Sequence, residues 1–293
     1  MLLALRRKCS GKYKNACMTS NTESNLLERI LDSVRRGLQD RKLEISETRL
    51  WRDCQNPALC PTRGFKKALL CDGVRIIAEV KRASPSKGVF PHKRTPARQA
   101  EEYAEAGAAC ISVVTEPEFF RGSLNMLAEI RKSVSLPLLR KDFIIEPYQI
   151  YEARLAGADA ILLIVAVLEE AQLNHLQSVA AGLGLDTLME VANRSELRRA
   201  LQAGAELIGV NNRDLRDFST DIGHSLGLAS AIPRHVVAIS ESGICSAEQI
   251  ERLRKAGYRG FLIGEHLMLQ DNPGEALRRL LQVNGPTGLP SCV

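Results

Sequence analysis

A chain of 293 residues, 45% of them apolar, is long enough to bury one large core, and no apolar run approaches the roughly 18 to 20 residues of a membrane helix. The formal charge of +6 is mild, with Lys and Arg scattered among Glu on helix faces, which speaks against nucleic-acid binding and leaves room for an anionic substrate. The eight cysteines have no CxxC or other metal-ligand spacing, so no metal site is expected and reduced thiols in a cytoplasmic protein are.

Residues 1–24 carry Arg6, Arg7, Lys8, Lys12 and Lys14, with no acid before Glu23. A targeting peptide has this composition, and so has a disordered basic extension upstream of a second start at Met18; the extension is the plainer expectation. Asn25 then reads as the N-cap of an amphipathic helix with Leu26, Leu27, Ile30, Leu31 and Val34 on one face, placed to cover one mouth of the domain that follows. Eight apolar strands come next, over residues 76–81, 109–115, 136–141, 158–165, 185–191, 206–210, 236–240 and 260–264. Four of them follow a helix-like run ending in glycine: EAGAACISVVTE, LAGADAILLIVA, QAGAELIGVNNR and KAGYRGFLIGEH, built on Gly107, Gly157, Gly204 and Gly257. Glycine at a helix end takes positive φ without strain. The runs after it lack polar alternation, as parallel strands covered on both faces do.

Eight alternating strands and helices predict an α/β chain folded as a single (β/α)8 TIM barrel over residues 25–285, with the extra N-terminal helix before the first strand and a flexible tail over 286–293. A doubly wound open sheet is the rival; it would carry a glycine fingerprint after its first strand, where this chain has KRASPSKG.

In such a barrel, chemistry is expected at the C-terminal strand ends. The first strand ends in Glu79 and Lys81, both on the parity of Ile77; the third in Arg140, Lys141 and Asp142, with Lys141 on the parity of Leu139. The fifth ends in Glu190, the sixth in Asn211 and Arg213, and the seventh in Ser240, Glu241 and Ser242. A lone carboxylate–ammonium pair is compatible with a plain ion pair closing the core, although such pairs add little net stability. Further acids, a Lys and an Arg at neighbouring ends point instead to a site with shifted pKa values. After the seventh and eighth strands, Ser242-Gly243-Ile244 and Gly264-Glu265-His266 occupy the positions where these barrels commonly bind phosphate.

Seven blocks occur in order: IIAEVKRASPSKG (76–88), ISVVTEPEFFRGS (111–123), LPLLRKDFIIEPYQIYEARLAGADAILLI (136–164), LMEVANRSEL (188–197), IGVNNRDL (208–215), ISESGI (239–244) and FLIGEHLM (261–268). Together they resemble the indole-3-glycerol phosphate synthase family of tryptophan biosynthesis. The resemblance implies ring closure of 1-(2-carboxyphenylamino)-1-deoxyribulose 5-phosphate to indole-3-glycerol phosphate, with loss of CO2 and water and without a metal or organic cofactor. It makes Lys141 the general acid on the substrate carbonyl, its pKa lowered by burial and a second cation. Glu190 and Glu79 would share proton removal and hydroxyl departure, and Lys81 would neutralise substrate anions and act in dehydration. Arg213 and Ser84 would hold the carboxylate, Asn211 and Ser242 the hydroxyls, and the amides of Gly243, Gly264 and Glu265 the phosphate. Phe120 and Phe143 would flank the anthranilate ring, and residues 82–88 would form a mobile loop closing over it, with Lys87 as a solvated charge. The expected partner is this small phosphorylated molecule, with no nucleic acid or membrane, for a monomer or weak homo-oligomer.

Arg121 and His266 depart from the family's commoner residues beside the site, and His266 reads as a helix-surface residue. Two other functions are compatible with the barrel. A Schiff-base aldolase or sugar-phosphate isomerase would use Lys141 as a nucleophile. A non-catalytic binder of phosphorylated ligand would have no reason to keep Glu79, Lys81, Lys141 and Glu190 together.

Overall fold

The computed structural model describes residues 26–91, 94–213 and 219–282; the basic extension, the Asn25 cap and the C-terminal tail lie outside the described residues. Eight parallel strands, β1 (Arg75–Val80), β2 (Cys110–Val114), β3 (Leu138–Lys141), β4 (Ala160–Ile164), β5 (Asp186–Val191), β6 (Leu207–Asn211), β7 (Val237–Glu241) and β8 (Gly260–Ile263), pair in chain order, and β8 closes on β1. The ring is the expected (β/α)8 barrel, and its closure rules out the open sheet. Every strand boundary falls within two residues of the sequence expectation.

Alternation along the strands builds two concentric cores. Ile77, Leu139, Leu162, Leu188, Ile239 and Leu262 fill the barrel, while Ile76, Ile111, Ile161, Met189, Ile208 and Phe261 pack outward beneath the helices. The four repeat glycines have φ between 79° and 109°, so each helix ends as the repeat predicts and turns directly into its strand.

The two mouths are closed by different elements. The N-terminal helix, Leu26–Glu44, buries Ile30, Leu31, Val34 and Leu38, and Leu26, Leu27 and Ile30 border the cavity at the C-terminal mouth. The opposite mouth is plugged by a short helix, Phe65–Leu70, whose Phe65 and Leu69 are fully buried in the inner core. Carboxylates at the strand starts hold the plug: Asp159 accepts the Arg63 N–H at 2.7 Å and Asp186 that of Lys66 at 2.8 Å. The segment after β1, expected as a mobile loop over residues 82–88, contains a small antiparallel pair, Ala83–Ser84 with Gly88–Val89. It is tied to the loop after β2 by the Ala83 N–H donating to Phe120 O at 3.1 Å.

Candidate active site

At the C-terminal mouth, interior parity aims Glu79 of β1, Lys141 of β3, Glu190 of β5, Asn211 of β6 and Glu241 of β7 at one point. Lys141 Nζ lies 3.3 Å from Glu190 Oε2 and 3.8 Å from Glu241 Oε2. Asn211 Nδ2 donates to Glu190 Oε1 at 3.1 Å, so both Glu190 oxygens have a partner. Glu79 and Lys81 are two positions apart on the same side of the chain and form a 2.8 Å ion pair. Gly264, at the end of β8, makes room for this pair, since a Cβ there would lie 2.3 Å from Glu79 Oε1.

These groups line a cavity of about 380 Å³, and every site residue expected from the sequence, thirteen in all, lies on its wall. Phe120 and Phe143 stand together on one side, ring centroids 6.3 Å apart and planes tilted by 39°. Arg213 donates to Asn211 Oδ1 through its backbone N–H at 3.0 Å, and its guanidinium reaches Glu265 Oε2 at 2.8 Å. Ser84 is buried beside Ser86, its Oγ accepting the Lys87 N–H. Ser242 has φ 67° and Gly243 φ 73°; a left-handed serine is uncommon away from turns and functional sites.

Three rim positions are refined by the structure. His266 lines the cavity rather than the outer helix surface, and partial burial lowers its pKa. The Lys87 ammonium lies 3.9 Å from Glu265 Oε1, so it is weakly paired rather than merely solvated. Arg121 is exposed, with φ 53°, and does not line the cavity.

The electrostatics correct one expectation. Burial pulls the Lys141 ammonium toward losing its proton, but Glu190, Glu241 and Glu79 outweigh it and hold Lys141 above the ordinary lysine range. Sequence reasoning named the burial, a neighbouring cation and acids at nearby strand ends, but did not weigh the acids against the burial. An ammonium held this way keeps its charge, unlike the free amine that a Schiff-base lysine needs. Burial also works against the Glu79 carboxylate, yet Lys81 and Lys141 keep it below its usual range.

The strand-end group to which sequence reasoning gave no role is Glu241. It is 1% exposed, and burial together with the Glu190 carboxylate pushes its carboxyl up to about 8. The available signal was its parity with Val237 and Ile239 on the interior of β7. The apolar wall formed by Leu26, Leu27 and Ile30 belongs to the helix face expected to cover one mouth, and its docking shows that mouth to be the C-terminal one.

The family model for indole-3-glycerol phosphate synthase matches residues 27–280. Among curated relatives, the indole-3-glycerol phosphate synthase of Carboxydothermus hydrogenoformans is 50% identical over 74% of this chain and 84% of its own. That of Koribacter versatilis is 48% identical over 88% and 99%, and that of Lachnoclostridium phytofermentans 42% over 87% and 98%. Thiamine phosphate pyrophosphorylase from Pyrococcus furiosus superposes with a TM-score of 0.54 at 14% identity, covering 72% of this chain and 95% of that one; this likeness is one of fold alone. With a barrel mouth built from the same motif blocks and a match running through nearly all of the described domain, the chain belongs to the indole-3-glycerol phosphate synthase family.

Proposed function

We infer that this protein is a carboxy-lyase of tryptophan biosynthesis, closing the indole ring of indole-3-glycerol phosphate from 1-(2-carboxyphenylamino)-1-deoxyribulose 5-phosphate. The observation that carries this reading is the meeting of Lys141 with Glu190 beside the Glu79–Lys81 pair, in a cavity walled by two phenylalanines. The aromatic carbon bearing the carboxylate attacks the substrate carbonyl. The carbonyl electron pair moves onto oxygen, which takes the Lys141 proton. The bond to the carboxylate then breaks, its electrons restoring the aromatic ring as CO2 departs. Glu190 next takes a proton from the substrate while the new hydroxyl, protonated by Lys81 of the Glu79–Lys81 pair, leaves as water and the indole double bond forms; Glu190 and solvent then return protons to the two lysines.

Binding is divided among the surrounding groups. Phe120 and Phe143 flank the anthranilate ring, and Arg213 with Ser84 holds its carboxylate until CO2 is lost. Arg213 exchanges its Glu265 contact for that carboxylate as substrate enters. Asn211 and Ser242 bind hydroxyls, and the amides of Gly243, Gly264 and Glu265 bind the phosphate. In the same reading the protein works in the cytoplasm as a monomer or weak homo-oligomer; among the described residues no helix is long and apolar enough to cross a membrane.

The test is the appearance of indole fluorescence when purified protein meets this substrate without added metal. Turnover that vanishes in Lys141→Ala, while a phosphate-bearing product analogue still binds, is the expected result. Absence of turnover in folded wild-type protein overturns the reading.

A further inference from the structure

Glu190 and Glu241 both approach Lys141, yet their surroundings differ. Glu190 has Lys141 and Asn211 as partners. Both Glu241 oxygens are buried without a hydrogen-bond partner, and the Lys141 ammonium, 3.8 Å from Oε2, is beyond hydrogen-bond length. The strand between them explains how the two carboxyls meet. Gly209 of β6 is level with Glu190 in the sheet register, and a Cβ on Gly209 would fall 1.9 Å from Glu241 Oε1. Glu241 therefore leans across β6 through the space that a missing side chain leaves, toward Glu190, with which it shares the Lys141 ammonium.

Two ionised carboxylates in that contact repel and have no proton to share, whereas one proton turns the contact into an O–H···O⁻ bond, among the stronger hydrogen bonds in proteins. The charge balance agrees. The other groups facing Glu241 are Lys141 from β3, Glu190 from β5 and Glu79 from β1, with Lys81 paired to Glu79. Asn211 and Gly209 of β6 and the strand β8 add no titratable group. With Glu241 neutral, two cations meet two anions; with Glu241 ionised, a dry floor holds an excess negative charge.

We propose that Glu241 is a proton-bearing positioning residue, whose neutral carboxyl donates a hydrogen bond to the Glu190 carboxylate and thereby fixes the base and leaves Lys141 one anion fewer to hold its proton. This rests on the assignment of Lys141 as acid and Glu190 as base. It explains how an ammonium surrounded by acids still gives its proton to the substrate: a neutral Glu241 withdraws part of the attraction that would retain it. Glu241 itself loses no proton over the cycle, since the shared proton stays on it while Glu190 accepts and releases the substrate's.

The test has two arms. In substrate-free protein, infrared difference spectroscopy of wild type against Glu241→Gln should reveal a protonated-carboxyl carbonyl band that titrates away as pH rises through about 8 and is missing in the variant. Absence of that band at neutral pH overturns the proposal, whatever the enzyme does with substrate. In the kinetic arm, Glu241→Leu should lower kcat by about 10- to 100-fold with KM little changed, as loss of a hydrogen bond to a charged group predicts. Glu241→Gln should recover most of that loss, because its amide supplies an N–H donor in place of the carboxyl O–H, and should lack the alkaline inflection that Glu241 gives the wild type. Gln as impaired as Leu, or Leu as active as wild type, overturns it. Should Glu241→Leu fail to fold, Gly209→Ala displaces the same carboxyl from the neighbouring strand and replaces it in the comparison. A band that behaves as expected in a protein without turnover sinks the proposed reaction and leaves the shared proton standing.

Discussion

Arg140 and Lys141 are neighbours on β3, each a buried or half-buried cation among carboxylates, and they show how differently one strand can treat its two faces. Arg140 points outward. Its guanidinium donates to Asp142 Oδ2 at 2.9 Å, Thr115 Oγ1 at 3.2 Å and Gln149 O at 2.6 Å, and Glu152 lies 3.5 Å away. Glu152 in turn pairs with Arg41 of the N-terminal helix at 2.7 Å, so the network clamps that helix to the barrel. Lys141 points inward, where Asn211 and Lys81 share out the donors and the Glu241 oxygens are left with none. A planar guanidinium with five fixed donors suits the saturated network, and a compact ammonium that can yield a proton suits the unsaturated one. The lesson is that burial of charge does not distinguish scaffold from site; the degree of satisfaction does.

The sharpest way to break this comparison is to remove each cation in turn. Lys141→Ala should lower kcat by about 10²- to 10⁴-fold, the usual worth of a positioned acid, read from single-turnover indole fluorescence; a loss below tenfold would make Lys141 as structural as its neighbour. Arg140→Leu leaves Asp142 buried without its charged partner, and Glu152 with Arg41 alone, and should destabilise the fold by about 3–5 kcal/mol, measured by urea denaturation. A change under about 1 kcal/mol would remove the scaffold role.

Smaller effects sharpen the contrast. Arg213→Ala should weaken substrate binding by roughly 10- to 100-fold, the range for a hydrogen bond to a charged group, seen mainly in KM; unchanged KM and kcat would detach Arg213 from the carboxylate. The last effect, spread gradually over several pH units, concerns stability against pH. Glu241 is raised from the ordinary carboxyl value of 4.5 to about 8, so the folded state favours its protonated form. Below the unfolded value both states carry the proton. Between the two values the unfolded chain releases it first, so stability contributed by the protonated group declines as pH rises, by up to about 1.4 kcal/mol per pH unit. Glu241→Gln, which cannot ionise, should therefore gain on wild type between pH 5 and 8 in thermal melts. A margin that does not grow with pH would mean that Glu241 is ionised throughout.

Much of this molecule is legible in its sequence because the signals are local. The glycine that ends a helix, the unbroken apolar run after it, and the two-residue parity that turns Glu79, Lys141 and Glu190 inward all act within a few residues. They determine eight strands, a closed barrel and the mouth at which the site lies. The motif blocks, read as a family resemblance, supply the rest of the cavity wall.

What only the tertiary structure decided depends on distances across strands. The plugging of the lower mouth by Phe65–Leu70 needs Asp159 and Asp186 at the starts of two strands far away in sequence. The upward shift of Lys141 needs three acids from three other strands. Glu241 appears in the sequence as one more polar residue at a strand end, and its significance comes from a glycine 32 positions earlier on the adjacent strand, whose empty side-chain space lets two carboxyls meet. Parity states which way a side chain points, a property of its own backbone; whether it finds a partner there depends on the neighbours' side chains, which only the closed barrel brings together.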